Sequence, residues 1–562
     1  MGLTRWVGRW AGTGLWFVVL APALALVPAA FLDRGPDGAV HPTLLPVALA
    51  ALDPFVWDAV RNSVTLAAAV AAAAMVIGVG LARAMVRARF WGRPVLAAVG
   101  VAPLVIPSVV TALGLRLALG RLGMWPGVAL AARTSLPADL GAWIGWVWTG
   151  MATAVPLGAL TAASALARVE PGWEDAARLA GASRRRIWRT LIWPVIRPSV
   201  ARGAGTAFTL TLIDPGAPLL LGLRRTLAFQ LVESARGPGP TPRAAVLALA
   251  ALGLAVAGQV LLGWWGGPPT PRAADPPRFR ARQARWPRAS ALALFLGGWA
   301  VLAWLPALAV LRKGAAGRSI RAAWADPIAS RLIANGAALG LAVVAIDLVL
   351  AWALHARAER RRGRTSSPAL AAWPGWFPPL ALGAGALVLP GLLMMAADGL
   401  RAGHGPERVV RGLEVLSEGL DPEVVPGLLL ALSVAAVHFP FLARAVEVSR
   451  GRLRPILSDA AIGLGASPRA ARRSSPGWLA GTGGPLLLTF ALAATNLAPA
   501  LLLAPTAESR PIAPGLLALA DEPADGLARA ATLASLAVAV NVSAFALASR
   551  TRLFGRLDTR IY

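Results

Sequence analysis

Two carboxylates sit inside otherwise apolar stretches: Asp214, in Ile213-Asp-Pro-Gly-Ala-Pro-Leu-Leu-Leu-Gly222, and Asp347, in Ala345-Ile-Asp-Leu-Val349. An ionisable group at membrane depth is costly and usually faces a bundle interior or an aqueous passage, so both are candidates for lining a pathway. Asp214 has the stronger claim, because Pro215 and Pro218 free backbone groups that could line such a passage. The plainer alternative is that Asp214 caps a broken helix and Asp347 has a local hydrogen-bonded partner. Other chemistries are closed. The chain has no cysteine, which removes disulfides, thiolate metal sites and thiol nucleophiles. Its four histidines, His41, His355, His404 and His438, are too far apart for a ligand motif. The single lysine, Lys313, is followed by Gly314, whereas a phosphate-cradling loop needs Gly-Lys followed by Ser or Thr. The chain is therefore read as a non-enzyme, and any ATP-driven step belongs to another polypeptide.

The elements that position these residues follow from composition. Of 562 residues, 57% are hydrophobic and only 15% charged, with a mean hydropathy of +0.62. Soluble domains carry about 25% charge. The net charge of +28 would suit a nucleic-acid partner, but a nucleic-acid-binding protein would not also be this apolar. An all-α polytopic membrane protein with arginines on its cytoplasmic loops accounts for both. Apolar stretches of helical character fall near 11–32, 62–86, 95–116, 141–166, 200–222 and 243–265. A second six fall near 290–311, 333–355, 376–398, 424–443, 480–504 and 527–549. The stretch 11–32 exceeds the 7–15 residues of a signal core and is read as an uncleaved first span. With both termini inside, the cytoplasmic segments hold 36 basic and 8 acidic residues, and the outer side 19 of each. The positive excess therefore sets the orientation.

The two sets of six repeat each other. Asn62 pairs with Asn335 at an offset of 273, and Leu104-Val-Ile-Pro107 with Leu387-Val-Leu-Pro390 at 283. Asp175-Ala-Ala and Gly181-Ala-Ser183 pair with Asp459-Ala-Ala and Gly465-Ala-Ser467 at 284. Phe208, Asp214 and Leu219-Leu-Leu221 pair with Phe490, Asn496 and Leu501-Leu-Leu503 at 282. Six spans per repeat make the halves parallel, with a pathway expected at their interface. The expected organisation is a first repeat over 1–265, a Pro- and Arg-rich cytoplasmic linker over 266–289, and a second repeat over 290–562. Pro107 and Pro390 are expected to kink their helices, and Trp143, Trp146, Trp148, Trp264 and Trp265 to anchor at the interface.

The loop over 170–198 reads Glu174-Asp-Ala-Ala-Arg-Leu-Ala-Gly-Ala-Ser-Arg-Arg-Arg-Ile-Trp-Arg-Thr-Leu-Ile-Trp-Pro194. Acidic residues early in a short helix suit its dipole, an alanine pair allows close approach, and Gly181 permits a sharp turn. This order resembles the EAA loop of binding-protein-dependent ABC importer permeases, with Asp175 as the acid, Ala176 and Ala177 as the small pair, then Gly181 and Pro194. The second copy, over 447–478, keeps Asp459, Ala460, Ala461 and Gly465 but has Pro476 and Trp478 where one proline is expected. The Pro103-Leu-Val-Ile-Pro107 helix and the Asp214–Gly222 segment resemble the fused, two-domain permeases of ferric-iron importers, with thiamine and 2-aminoethylphosphonate systems as close relatives.

That resemblance implies a multi-pass permease of the bacterial inner membrane with the type I importer fold. It implies coupling loops that dock on a cytoplasmic ATPase dimer, with ATP and Mg on that partner. A periplasmic binding protein would deliver the solute, ferric iron before thiamine. Asp214, Asn496, Asp347, Pro107 and Pro390 are then the pathway candidates. The competing expectation is an ion-coupled secondary transporter using Asp214 and Asp347, which leaves both EAA-like loops unexplained.

Overall fold

The computed structural model describes residues 21–34, 40–120, 140–236, 242–268, 282–283, 286–317, 325–360, 377–402, 405–420, 427–440, 442–443, 462–465, 467, 482–523 and 525–550. Their first half runs through α1 (Ala21–Phe31), a small antiparallel ladder of β1 (Leu32–Arg34) and β2 (Val40–Pro42), α2 (Leu45–Leu52) and α3 (Pro54–Arg87). Then come β3 (Ala88–Arg89), α4 (Arg93–Val101), a 3-10 turn (Ala102–Val105), α5 (Ser108–Gly120), α6 (Leu140–Leu166) and α7 (Pro171–Leu179). The half closes with α8 (Arg184–Ile187), a π-turn (Trp188–Ile192), α9 (Trp193–Leu212), α10 (Gly216–Leu221), α11 (Leu227–Ala235) and α12 (Pro242–Gly266). After β4 (Arg282–Gln283), which pairs in parallel with β3, come α13 (Trp286–Gly317), α14 (Pro327–Arg360), α15 (Pro379–Ala402) and α16 (Glu407–Leu420). The chain ends through α17 (Leu428–Pro440), α18 (Gly483–Ala494), α19 (Ala498–Leu503), α20 (Ile512–Ala520) and α21 (Gly526–Arg550).

Among the described residues eight helices are long and apolar enough to cross a membrane, and a ninth apolar stretch is a helix pair bent by 103° between Arg93–Val105 and Ser108–Ala118, the form of a broken span or a re-entrant loop. With the shorter apolar helices α1, α17 and α18, the described residues supply a helical segment for each of the twelve apolar stretches. The chain is an all-α, multi-pass membrane protein, and the two short ladders are the only sheet among the described residues.

Several elements of the two halves match in length. The helices α3 and α14 both have 34 residues, α10 and α19 six, α11 and α20 nine, α12 and α21 twenty-five. Side-chain contacts repeat too. Asn62 Nδ2 donates to the Arg225 carbonyl at 3.1 Å, and Asn335 Nδ2 to those of Glu508 and Arg510 at 2.6 and 3.0 Å. Asp53 caps α3 by accepting from the Phe55 amide at 2.8 Å, and pairs with Arg243 at the start of α12 at 2.8 Å. Asp326, 273 residues on, accepts from the Ile328 amide at 3.0 Å and pairs with Arg529 near the start of α21 at 2.8 Å.

The halves pack through α13, which lies against α4, α5 and α21. Pro103 has no amide hydrogen, so the Val99 carbonyl loses its helical donor; the Trp304 indole donates to it at 2.8 Å. Trp299 donates to the Gly100 carbonyl at 2.9 Å beside it.

Two expectations need correction. Pro107 does not kink a continuous helix: it lies at the 103° break, because the residue before a proline avoids the α region and Ile106 is extended, with ψ 124°. Pro390 does lie inside the unbroken α15, and its carbonyl accepts from Ser417 at 2.8 Å. Trp146 is not an interfacial anchor. It is 1% exposed and sits in the main core beside Trp143, whereas Trp264 is 85% exposed at the end of α12.

Candidate functional site

The loop between α6 and α9 is built around α7. Pro171 starts this helix, where its missing amide hydrogen costs nothing. Its end is a Schellman cap: the Ala182 amide donates to the Ala177 carbonyl at 2.9 Å and the Gly181 amide to that of Arg178 at 3.0 Å. Gly181 has φ +79°, the left-handed region that an L side chain enters at a cost. A Cβ there would meet nothing within 4 Å, so backbone conformation alone asks for glycine. Ala177 and Ala182 both pack against the apolar cluster under the loop.

The two acids of α7 face different ways. Glu174 is 9% exposed and ion-paired with Arg87, at the end of α3, and with Arg178 at 3.4 Å. The Asp175 carboxylate is 46% exposed and touches Arg178 at 3.3 Å. Ala176 is exposed and Ala177 half-buried, while Leu179 and Trp173 are exposed apolar residues on the same short helix. Beyond the turn, Ser183 caps α8 by accepting from the Arg186 amide at 3.3 Å. Pro194 is exposed and follows the π-turn Trp188–Ile192, whose wider ring accommodates a residue that cannot donate. Nothing in the spacing of that segment announces a π-turn.

In the second loop Gly465 repeats the turn, with φ +86° and its amide donating to the Ile462 carbonyl at 2.9 Å. Asp459, Ala460 and Ala461 lie outside the described residues.

The pathway candidates divide. Asp214 lies in the break between α9 and α10, opposite the Pro107 break. Ser108, the first residue after that proline, donates to Asp214 Oδ1 at 2.6 Å, and the Gly216 amide reaches the same oxygen at 3.5 Å. A Cβ on Gly216 would strike Ser108 and the Val109 amide, so glycine lets the two breaks touch. Asn496 lies in the equivalent break between α18 and α19, with its Nδ2 3.4 Å from His438 Nε2 on α17. Asn541, buried on α21, donates to Thr495 Oγ1 and to the Val105 carbonyl, each at 2.9 Å. It thereby links the two breaks across the halves. Asp347 is not brought into this group: it is fully buried in α14, and neither carboxylate oxygen has a hydrogen-bond partner among the described residues. His438, Thr495 and Asn541 were invisible to motif reasoning, because uncharged polar residues in apolar helices carry no spacing signal.

No family model matches the chain. Among curated proteins it is similar to the molybdenum transport system permease protein ModB of Escherichia coli (strain K12), 28% identical over 220 residues, which are 37% of this chain and 92% of that protein. The putrescine transport system permease protein PotI of Escherichia coli (strain K12) is 33% identical over 216 residues, 38% of this chain and 73% of that protein. The thiamine transport system permease protein ThiP of Brucella abortus (strain 2308) is 26% identical over 356 residues, 61% of this chain and 64% of that protein. Three transport permeases thus match a chain built of apolar helices and capped, charged loops. It belongs to the family of ABC importer permeases.

Proposed function

We propose that the chain is a fused permease with repeats over 1–265 and 290–562 joined by the linker 266–289. It forms the solute pathway of an ABC importer and couples that pathway to a separate ATPase. The observation that carries this reading is α7, a short exposed helix closed by the left-handed Gly181, with the same turn at Gly465 284 residues on. Glu174, Asp175, Ala176, Ala177, Gly181 and Pro194 form the first ATPase-coupling loop, and Asp459, Ala460, Ala461 and Gly465 the second. ATP and Mg are bound by the ATPase dimer, and a periplasmic binding protein delivers solute. The chain sits in the bacterial inner membrane with both termini in the cytoplasm, the orientation that puts its positive excess inside. Asp214 and Asn496 flank the pathway, with the Pro107 break beside Asp214.

For the solute we propose ferric iron, on the likeness of the Asp214–Gly222 segment to ferric-iron permeases. Thiamine is the second reading, favoured by the relative matched over 356 residues. The test is to co-purify the chain with its ATPase and measure which binding protein, loaded with ferric iron or with thiamine, stimulates ATP hydrolysis. The coupling assignment fails if Asp175, Gly181, Asp459 and Gly465 can be replaced together without loss of ATPase binding.

A further inference from the structure

At 34 residues, α3 is longer than the ~20 needed to cross a bilayer. Its last two turns present Arg83 and Arg87, four residues apart and so on one helix face. Each holds one side of the Gly181 turn. Arg87 is ion-paired with Glu174 on α7, before the turn. Arg83 stacks over the Trp188 ring, 4.5 Å from its centroid, after the turn. The pair is sheltered, with Arg87 20% and Glu174 11% exposed at the side chain, so it is far less screened than a surface ion pair.

The second half does not have the residues for either contact. At the 273 offset of α3 and α14, Arg87 corresponds to Arg360 but Arg83 to Ala356. At the 284 offset of the loops, Glu174 corresponds to Ser458 and Trp188 to Arg472. A serine in place of Glu174 carries no charge to pair with arginine, and an alanine in place of Arg83 has no guanidinium to stack.

We propose that Arg87 and Glu174 are positioning residues: a strut that makes α7 and the second membrane span move as one body, present in the first half only. This rests on the reading of α7 as the ATPase-coupling helix. It separates the roles of two adjacent acids, since Glu174 grips the permease itself and leaves the more exposed Asp175 for the ATPase. Movement of the ATPase at the first loop is passed directly to α3, while the sequence of the second loop has serine at the position aligned with Glu174.

The test uses the full chain with its ATPase and loaded binding protein in proteoliposomes. Glu174→Gln should lower binding-protein stimulation of ATP hydrolysis, measured per ATPase bound, by about tenfold, within the range carried by packed coupling networks. The exchange Arg87→Glu with Glu174→Arg should recover most of it, and Ser458→Ala should change nothing. Because the chain has no cysteine, Arg87→Cys with Glu174→Cys can be bridged by a bismaleimide; stimulation should be weak before bridging and restored after it. Unchanged stimulation in Glu174→Gln, or bridging that blocks turnover, overturns the strut while leaving the coupling helix standing. Failure of the unaltered chain to bind an ATPase sinks the coupling reading, and the strut with it.

Discussion

Asn541 and Val105 are 436 residues apart in the chain and joined by a 2.9 Å hydrogen bond from the Asn541 amide to the Val105 carbonyl. The carbonyl belongs to the 3-10 turn that precedes the Pro107 break, and the asparagine is fully buried in the last helix. The contact joins the halves where both have broken spans. Asn541→Leu leaves the carbonyl and Thr495 without this donor, which costs about 1–3 kcal/mol for each buried group left unpaired. Thermal unfolding in detergent should show a clearly lowered midpoint; an unshifted midpoint would mean that the seam is held by the other contacts between the halves.

Gly181→Ala forces an L side chain into a conformation that costs about 1–2 kcal/mol. Because a Cβ meets nothing there, the penalty falls on the turn rather than on packing. The expected result is normal membrane expression with reduced ATPase binding. Gly181→Asn should keep more binding, since asparagine tolerates this region better. Equal loss in both variants would point to a steric cause and contradict the geometry.

Asp326 supplies a pH dependence with a definite sign. Burial by itself raises its pKa, but hydrogen bonds from Arg529 and the Ile328 amide, with the charge of Arg529, hold the carboxyl below the ordinary carboxylate range. A carboxylate whose folded pKa is depressed stabilises the fold above its unfolded value, about 3.9. That contribution is lost as pH falls through the lower, folded value. Unfolding midpoints followed downward from pH 6 should therefore drop below about pH 4, and drop less in Asp326→Asn. Identical acid profiles would refute the assignment.

Asp347 separates the two transport readings. A carboxylate buried without a partner destabilises the fold if charged, so Asp347→Asn should be neutral or stabilising in detergent and leave solute uptake unchanged. Abolished uptake, with wild-type uptake collapsing when the proton gradient is removed, would favour an ion-coupled carrier instead.

Much of this architecture is legible in the chain. The twelve apolar stretches each found a helix, because lipid leaves few other options for backbone polar groups. The offset that pairs Asn62 with Asn335 also aligns Asp53 with Asp326, a contact that spacing alone could not assign. Gly181 and Gly465 were readable as turns because few residue types enter the left-handed region. What could not be read depends on tertiary partners. Trp146 has the composition of an anchor, and only packing shows it in the core. Pro107 signals an irregularity, but the size of the bend is set by what α13 and the Asp214 break place around it. Glu174 and Asp175 are adjacent acids, and only the position of Arg87 tells them apart.

The clasps at Asp53–Arg243 and Asp326–Arg529 have a mechanical corollary. Each ties the start of a 34-residue helix to the start of its half's last helix. In the first half, α7 meets that long helix at its opposite tip, through Arg87. At about 1.5 Å per residue the arm between them is about 50 Å. A helix pinned at one tip and pushed at the other is a lever with its fulcrum at the salt bridge. Under the coupling proposed above, a small stroke at α7 would swing the middle of α3 through roughly half that travel, with the clasped end moving least.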